Sequence, residues 1–412
     1  MTSGGKRRGL AAATFLLGVA VTCAQSAAIN LDDPAIGYMT RPLKDPVSEV
    51  NRKVLAGEVE MRFDAEHGYL RSVLEALKVP VESQMAVFSK TSVQSMRIDP
   101  HSPRVLYFND AVVVGWVPHG SLEIAGLDPR QGIIFYTVDQ RPWVHDQRTR
   151  NPAARAQSLF QRRTDCLSCH VSKSTHGIPG TLVRSVFPSI DGTPQRQYGV
   201  ADTDHRTPFE KLWGGWYVSG TSGSAKHMGN AVVARTSKSE LQTLTGAFDA
   251  KPYLSPYSDI VALAVFEHQT HMMNLLIETG WRARLGLPSS VDELVDYLLF
   301  IDEAPLPAKV EGVSGFAAKF ASRGPVDRQG RSLRQLDLER RLLRYPCSYM
   351  IYSEAFDALP LEIKNRIYQR MWQILSGEEK GARYARLSTE ERKAIVEILR
   401  DTKEGLPDYY QK

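Results

Sequence analysis

Residues 104–116 read RVLYFNDAVVVGW, two apolar runs that flank an Asn-Asp pair. Val, Tyr, Phe and Trp favour strands, and Asn109-Asp110 is typical of a tight turn, so the stretch predicts a β-hairpin. Similar runs occur at residues 85–88 (MAVF) and 132–138 (GIIFYTV), and residues 128–132 (DPRQG) indicate another turn. We therefore expect strands between about residues 85 and 240.

The pattern becomes helical from about Ser255 onward. Three capping boxes predict helix starts, and they begin at Ser290, Ser332 and Ser388. Predicted helix ends follow at Gly280, Gly324-Pro325, Pro346 and Gly377. An earlier helix, from about Asp64 to Lys78, is expected to pack on the sheet. The sequence thus predicts an α+β protein, with a mixed, β-rich region at residues 29–250 and an all-helical region at residues 251–412.

Cys166-Leu167-Ser168-Cys169-His170 forms a Cys-x-x-Cys-His motif that contains two of the four cysteines. This spacing is typical of covalent haem attachment, in which two thiols bond to the haem vinyl groups and the histidine binds iron. Over these five residues the chain resembles the c-type cytochromes. The resemblance implies one covalent haem c on Cys166 and Cys169, with His170 as an axial iron ligand. The rest of the chain does not resemble a small cytochrome c.

The motif has three other interpretations. A zinc site needs a second pair of ligands at finger-like spacing, and His176 follows His170 too closely for that. A thioredoxin-type cysteine pair belongs at a strand-to-helix junction of a βαβ unit, which the flanking residues do not suggest. The third interpretation is two buried structural cysteines. Haem attachment is favoured over all three.

The N-terminus has the features of a secretory signal peptide. Lys6, Arg7 and Arg8 precede an apolar run at residues 9–20, and small residues follow up to Ala28. Residues 1–28 are therefore predicted to be removed, and the mature protein is expected in the periplasm or otherwise exported. Haem c attachment also takes place outside the cytoplasm, so the two signals support each other. Thr22 precedes Cys23 where a lipoprotein signal prefers Gly or Ala, which disfavours a lipid anchor.

Charge and composition exclude several kinds of partner. The chain has 51 Lys and Arg against 46 Asp and Glu, and loss of the signal peptide would reduce the net charge from +5 to about +2. This balance does not indicate nucleic-acid binding, and no second apolar segment predicts a membrane span. Once haem is attached, Cys347 would be the one free cysteine, so no intramolecular disulfide is expected. We expect Cys347 to be a small buried side chain.

The sixth iron position decides between an electron carrier and a catalyst. A predicted helix from Ser258 contains His268 at the centre of an apolar stripe, as expected for an iron ligand or a core histidine. We predict that His268 binds the iron, which would place the haem between the β-rich region and this helix. Met272, one turn further on, is a possible substitute.

A second candidate for that position lies in the Gly-rich residues 214–230. Met228 follows His170 by 58 residues, a separation similar to that between the haem histidine and methionine of small cytochromes c. Glycines permit close approach to a flat ligand, and Trp213 and Trp216 could pack against it. The segment is also compatible with a surface loop that contains Met228 by coincidence.

These observations predict a periplasmic mono-haem c-type cytochrome that exchanges electrons with a redox partner protein. The alternative is a haem c oxidoreductase, peroxidase-like or substrate-oxidising, with an open distal iron position. Two plausible axial ligands favour the carrier. The length favours the enzyme, because a cytochrome c domain needs only about a hundred residues and the mature chain has about 384. A non-redox sensor or structural role was a third possibility.

Overall fold

A computed structural model describes Met1 and residues 29–143, 158–234, 240–244 and 248–411. Apart from Met1, the predicted signal peptide lies outside the described residues. The described part is a mixed α+β structure, with its main sheet in the N-terminal half and its helices mostly in the C-terminal half. This confirms the predicted fold class in its general form.

The main sheet contains six antiparallel strands that are neighbours in the order of the chain. They are β1 (Met85–Val87), β2 (Arg104–Phe108), β3 (Val112–Trp116), β4 (Leu122–Asp128), β5 (Gly132–Val138) and β6 (Gln161–Arg162). Two small hairpins follow, formed by β7 (Arg184–Val186) with β8 (Val200–Asp202) and by β9 (Ala231–Val233) with β10 (Leu241–Thr243).

Both predicted hairpin turns are present. The Asn109 side chain accepts hydrogen bonds from the backbone N–H groups of Ala111 and Val112, at 3.0 and 2.9 Å, and so closes the β2–β3 turn. The Asp128 side chain does the same for Arg130 and Gln131 in the β4–β5 turn. Short polar side chains thus satisfy the turn backbone, as the sequence indicated.

Helices in the described part begin before the sheet and dominate after it. They are α1 (Pro46–Leu55), α2 (Leu70–Ala76), α3 (Leu167–His170), α4 (Ile260–Arg284), α5 (Val291–Leu298), α6 (Phe316–Ala321), α7 (Glu354–Asp357), α8 (Leu361–Leu375) and α9 (Thr389–Thr402). Ser290 and Ser388 cap α5 and α9 as predicted. Helix α2 covers the second half of the predicted Asp64–Lys78 helix. None of the described helices is long and apolar enough to cross a membrane.

Three predictions of helix boundaries were wrong. No helix begins at Ser332 or ends at Pro346, because Arg334 stacks on the Tyr349 ring at 4.3 Å and pairs with Asp110, contacts that hold this segment as a loop. Helix α4 continues through Gly280 to Arg284. Trp281, which follows Gly280, is fully buried and donates a hydrogen bond to the Arg130 carbonyl at 3.0 Å, so tertiary packing keeps this turn helical.

The two faces of the sheet are covered differently. On one face, the Tyr136 hydroxyl donates to the carboxylate of Asp45, the N-cap of α1, at 2.7 Å. On the other face, Phe108 packs against Phe266 of α4, with ring centroids 5.0 Å apart. Side chains alternate along each strand, so Phe135 points away from the face of its neighbour Tyr136. It lies on the same face as Phe108, the face that α4 covers. The Cys-x-x-Cys-His motif contacts this second face.

Candidate haem-attachment site

The motif forms a single helical turn immediately after the sheet. Strand β6 pairs with β5, and α3 begins five residues after it. The backbone N–H of His170 bonds to the Cys166 carbonyl at 3.0 Å, which brings the first and last residues of the motif onto one turn. Cys166 is half-buried, Cys169 is exposed, and both thiols are free. Two free thiols and an imidazole therefore lie together on one helical turn.

His170 is held in a definite orientation. Its Nδ1 lies 2.8 Å from the Gly180 carbonyl oxygen, and its ring packs against Phe135 with centroids 4.6 Å apart. Burial lowers the pKa of His170, which favours the neutral imidazole. A neutral ring that donates from Nδ1 to a carbonyl keeps its lone pair on Nε2. No described residue hydrogen-bonds to Nε2, so this atom can bind a metal.

The loop from His170 to Thr181 is fixed at both ends. The Gly180 N–H donates to the His170 carbonyl at 3.1 Å, and the Ile133 N–H of β5 donates to the Pro179 carbonyl at 3.2 Å. The Ser172 N–H donates to the Thr175 hydroxyl at 2.9 Å and orders the turn between them. The Gly180 carbonyl that accepts from His170 therefore belongs to a loop tied to the sheet.

Charged side chains surround the histidine on the same face of the sheet. Arg104 and Glu123 form an ion pair of 2.5 Å, with both side chains mostly buried. Nε of Arg104 is also buried and has no hydrogen-bond partner among the described residues. Besides burial, the positive charges of Arg104 and Arg184 lower the pKa of His170, whereas Glu123 raises it. The site thus has two cations within electrostatic reach of the imidazole.

His268 lies in the core with both ring nitrogens engaged. Its Nε2 is 2.7 Å from the Ser348 hydroxyl, and its Nδ1 is 2.7 Å from Nδ1 of His205. Complete burial lowers its pKa to about 3. An iron ligand needs one nitrogen free of such bonds. The contacts favour the alternative of a core histidine, and iron binding by His268 stays a prediction that this geometry does not favour.

The substitute methionines lie in different surroundings. Met272 is completely buried within α4. Met228 is half-buried, and its sulfur accepts a hydrogen bond from the Ser185 hydroxyl at 3.6 Å. Ser185 is in β7, next to Arg184, whose charge influences His170. Met228 therefore contacts the strand that contains Arg184.

Sequence reasoning missed a polar stripe on α4, which has the spacing i, i+4, i+7 and i+11 along one helix face. Glu267 and Asn274 are buried, and His271 and Glu278 are half-buried. Each member of the stripe bonds to the chain between residues 176 and 213: Glu267 to Thr203 at 2.7 Å, His271 to Arg206 at 3.0 Å, Asn274 to Thr181 at 2.7 Å and Glu278 to His176 at 2.8 Å. Its periodicity is visible in the sequence, beside the apolar stripe around His268. The loop from His170 to Thr181, called the attachment loop below, therefore lies between the sheet and this polar face of α4.

A small cavity of about 50 Å³ lies beside the stripe. Its polar lining includes Glu267, Glu303 and His205, together with Asp204 and Thr207. Burial raises the pKa of Glu267 to about 8 and that of Glu303 to about 7, which shifts both carboxyls toward the protonated form. The volume suffices for a few water molecules and not for an organic substrate.

Comparisons with known proteins add no family assignment. The chain matches no protein-family model, and no curated protein or solved structure is significantly similar to it. Among the described residues, no three His, Cys, Asp or Glu side chains are grouped so that they could hold a metal ion by themselves.

Proposed function

We propose that this chain carries one haem c, bonded to Cys166 and Cys169, with His170 as an axial iron ligand. The main support is the His170 side chain, whose Nδ1 is bonded to the Gly180 carbonyl at 2.8 Å while Nε2 is left for a metal, on the same turn as two free thiols. Metal-bound histidines commonly donate their other ring N–H to a backbone carbonyl.

Charged and aromatic side chains near the motif are of the kinds that haem binds. The two propionates are anionic, and Arg104 and Arg184 supply positive charge near His170. Arg104 has a buried Nε without a partner among the described residues, as expected of a donor suited to an additional acceptor. Phe135 provides an aromatic wall against the imidazole. The haem would supply a one-electron redox change at its iron.

We further propose that the protein transfers electrons in the periplasm to or from a redox partner protein. Cys169 is exposed and Cys166 is half-buried, so the haem edge that these thiols hold would face the surface. An exposed edge permits electron exchange with a docked partner without entry of a substrate into the fold. The signal peptide predicted at residues 1–28 supports the periplasmic location.

The alternative of a haem c oxidoreductase is supported by one observation. His268 has hydrogen-bond partners at both ring nitrogens, so the predicted sixth ligand is not free in this arrangement. If Met228 does not bind iron either, the distal position is open to a small molecule. A low-spin ferric spectrum supports the electron carrier, and a high-spin spectrum that responds to added cyanide supports the oxidoreductase.

Covalent attachment is tested by exporting the full chain in a host with a working cytochrome c maturation system. We expect the intact mass of the processed chain plus one haem, which acidified organic solvent does not extract. The double variant Cys166→Ser, Cys169→Ser should lack covalent haem, whereas the control Cys347→Ser should retain it. A wild-type mass equal to that of the processed chain alone would refute the proposal.

A further inference from the structure

The buried amide of Asn274 connects α4 to the attachment loop. Its Nδ2 donates to the Thr181 carbonyl at 2.7 Å, and its Oδ1 accepts from the Thr181 N–H at 3.3 Å. One side chain thereby satisfies both backbone groups of the residue that follows Gly180. Asn274 is almost completely buried, so water does not compete for these bonds.

Gly180 lies directly against this amide. A Cβ at residue 180 would be 2.3 Å from Oδ1 of Asn274 and 3.0 Å from its Cγ, so only glycine permits the observed approach. The carbonyl of the same Gly180 accepts the hydrogen bond from Nδ1 of His170. The Thr181 N–H that donates to Asn274 and the Gly180 carbonyl that orients the candidate iron ligand belong to the same peptide group.

We propose that Asn274 is a positioning residue that sets the strength of the His170–Gly180 hydrogen bond and, through it, the reduction potential of the haem. This inference rests on the proposed function. A strong bond from Nδ1–H to a carbonyl increases the electron donation of the imidazole, which stabilises ferric iron and lowers the potential. Loss of the amide would release the Thr181 backbone, weaken the Nδ1–H bond and raise the potential.

The test compares two buried amides of α4. Asn274→Leu removes both bonds to Thr181 at similar volume. Gln269→Leu is the matched control, because Gln269 is equally buried but bonds to the Asn109 carbonyl and the Tyr349 hydroxyl, away from the motif. We expect both variants to lose stability and only Asn274→Leu to raise the potential, by about tenfold in the reduction equilibrium, or about 59 mV for one electron. Where the ferrous haem is five-coordinate, as in the oxidoreductase alternative, its iron–histidine stretching frequency should fall in the same variant.

A second variant reaches the same hydrogen bond from the loop. Gly180→Ala would displace the Asn274 amide, and should also raise the potential and lower the stretching frequency, even if Asn274→Leu does not fold. Covalent haem with an unchanged potential and frequency in the folded Asn274 or Gly180 variants overturns the inference and leaves the proposed function intact. An equal shift in Gln269→Leu also overturns it, since the effect would then be general to α4. Absence of covalent haem in the wild type overturns both.

Discussion

The Nδ1 atoms of His268 and His205 lie 2.7 Å apart in the core, between rings whose planes differ by 15°. At this distance one ring must donate a proton and the other must accept it, so at least one imidazole is neutral at Nδ1. Burial lowers the pKa of both rings, which favours two neutral histidines. Ser348 engages Nε2 of His268, so both ring nitrogens have hydrogen-bond partners in this arrangement.

This pair predicts that His268→Ala destabilises the fold without changing the haem spectrum. Loss of a buried ring and of two hydrogen bonds should cost about 2 to 4 kcal/mol of unfolding free energy. Chemical denaturation and ferric absorption spectra of the same samples measure the two effects. Met228→Leu serves as the comparison, because it should alter the spectrum if Met228 binds iron. Conversion of the His268 variant to a high-spin spectrum would restore His268 as the axial ligand.

The buried carboxyl of Glu267 predicts a pH dependence of stability. Burial raises its pKa from 4.5 to about 8, while Thr203 and Trp213 donate hydrogen bonds to it. Between these values the unfolded chain releases a proton that the folded protein retains, so the free energy of unfolding falls as pH rises from about 4.5 to 8. The total is at most several kcal/mol, because one pKa unit is worth about 1.4 kcal/mol.

Urea unfolding at a series of pH values measures this slope. Glu267→Gln, which stays neutral, should flatten it, although Glu303 will still contribute up to its pKa of about 7. Glu311→Gln is the control, because Glu311 is fully exposed and pairs only with Lys309 among the described residues. An undiminished slope in the Glu267 variant would show that this carboxyl is ionised in the folded protein.

The burial of Cys347 predicts how many thiols of the protein react with a thiol reagent. It is completely buried, and burial raises the pKa of its thiol, so the reactive thiolate is suppressed. The processed holoprotein should therefore show no thiol that reacts with a maleimide under native conditions and one such thiol in denaturant. Three thiols in denaturant would mean that Cys166 and Cys169 carry no haem.

The ion pair between Arg104 and Glu123 predicts shifts of the haem potential in opposite directions. A nearby cation favours ferrous iron, which has the lower positive charge, so Arg104→Met should lower the potential and Glu123→Gln should raise it. Screened interactions of this kind are on the order of 1 kcal/mol, which is somewhat less than tenfold in the reduction equilibrium. Redox titration measures both variants. Arg328→Gln, at an exposed pair with Asp401, should leave the potential unchanged. Shifts of the same sign in both site variants would contradict the electrostatic explanation.

Local patterns in the sequence predicted much of the backbone. The Asn109 and Asp128 turns, the strands beside them and the caps at Ser290 and Ser388 depend on side chains that bond to their own backbone within a few residues. Ser332 has the same cap pattern and no helix, because the neighbouring Arg334 is fixed by Tyr349 and Asp110, distant residues that no local pattern includes.

The candidate site also has one part that local sequence predicted and another that depends on distant residues. The sequence by itself determined the spacing of Cys166, Cys169 and His170, because five consecutive residues carry the whole chemical signal of haem attachment. Only the tertiary structure decided what surrounds them: the Gly180 carbonyl on Nδ1, the Asn274 amide behind it, and the His205 and Ser348 partners that occupy His268. These contacts join residues up to 93 positions apart, and a buried polar atom takes whichever partner the packing brings to it.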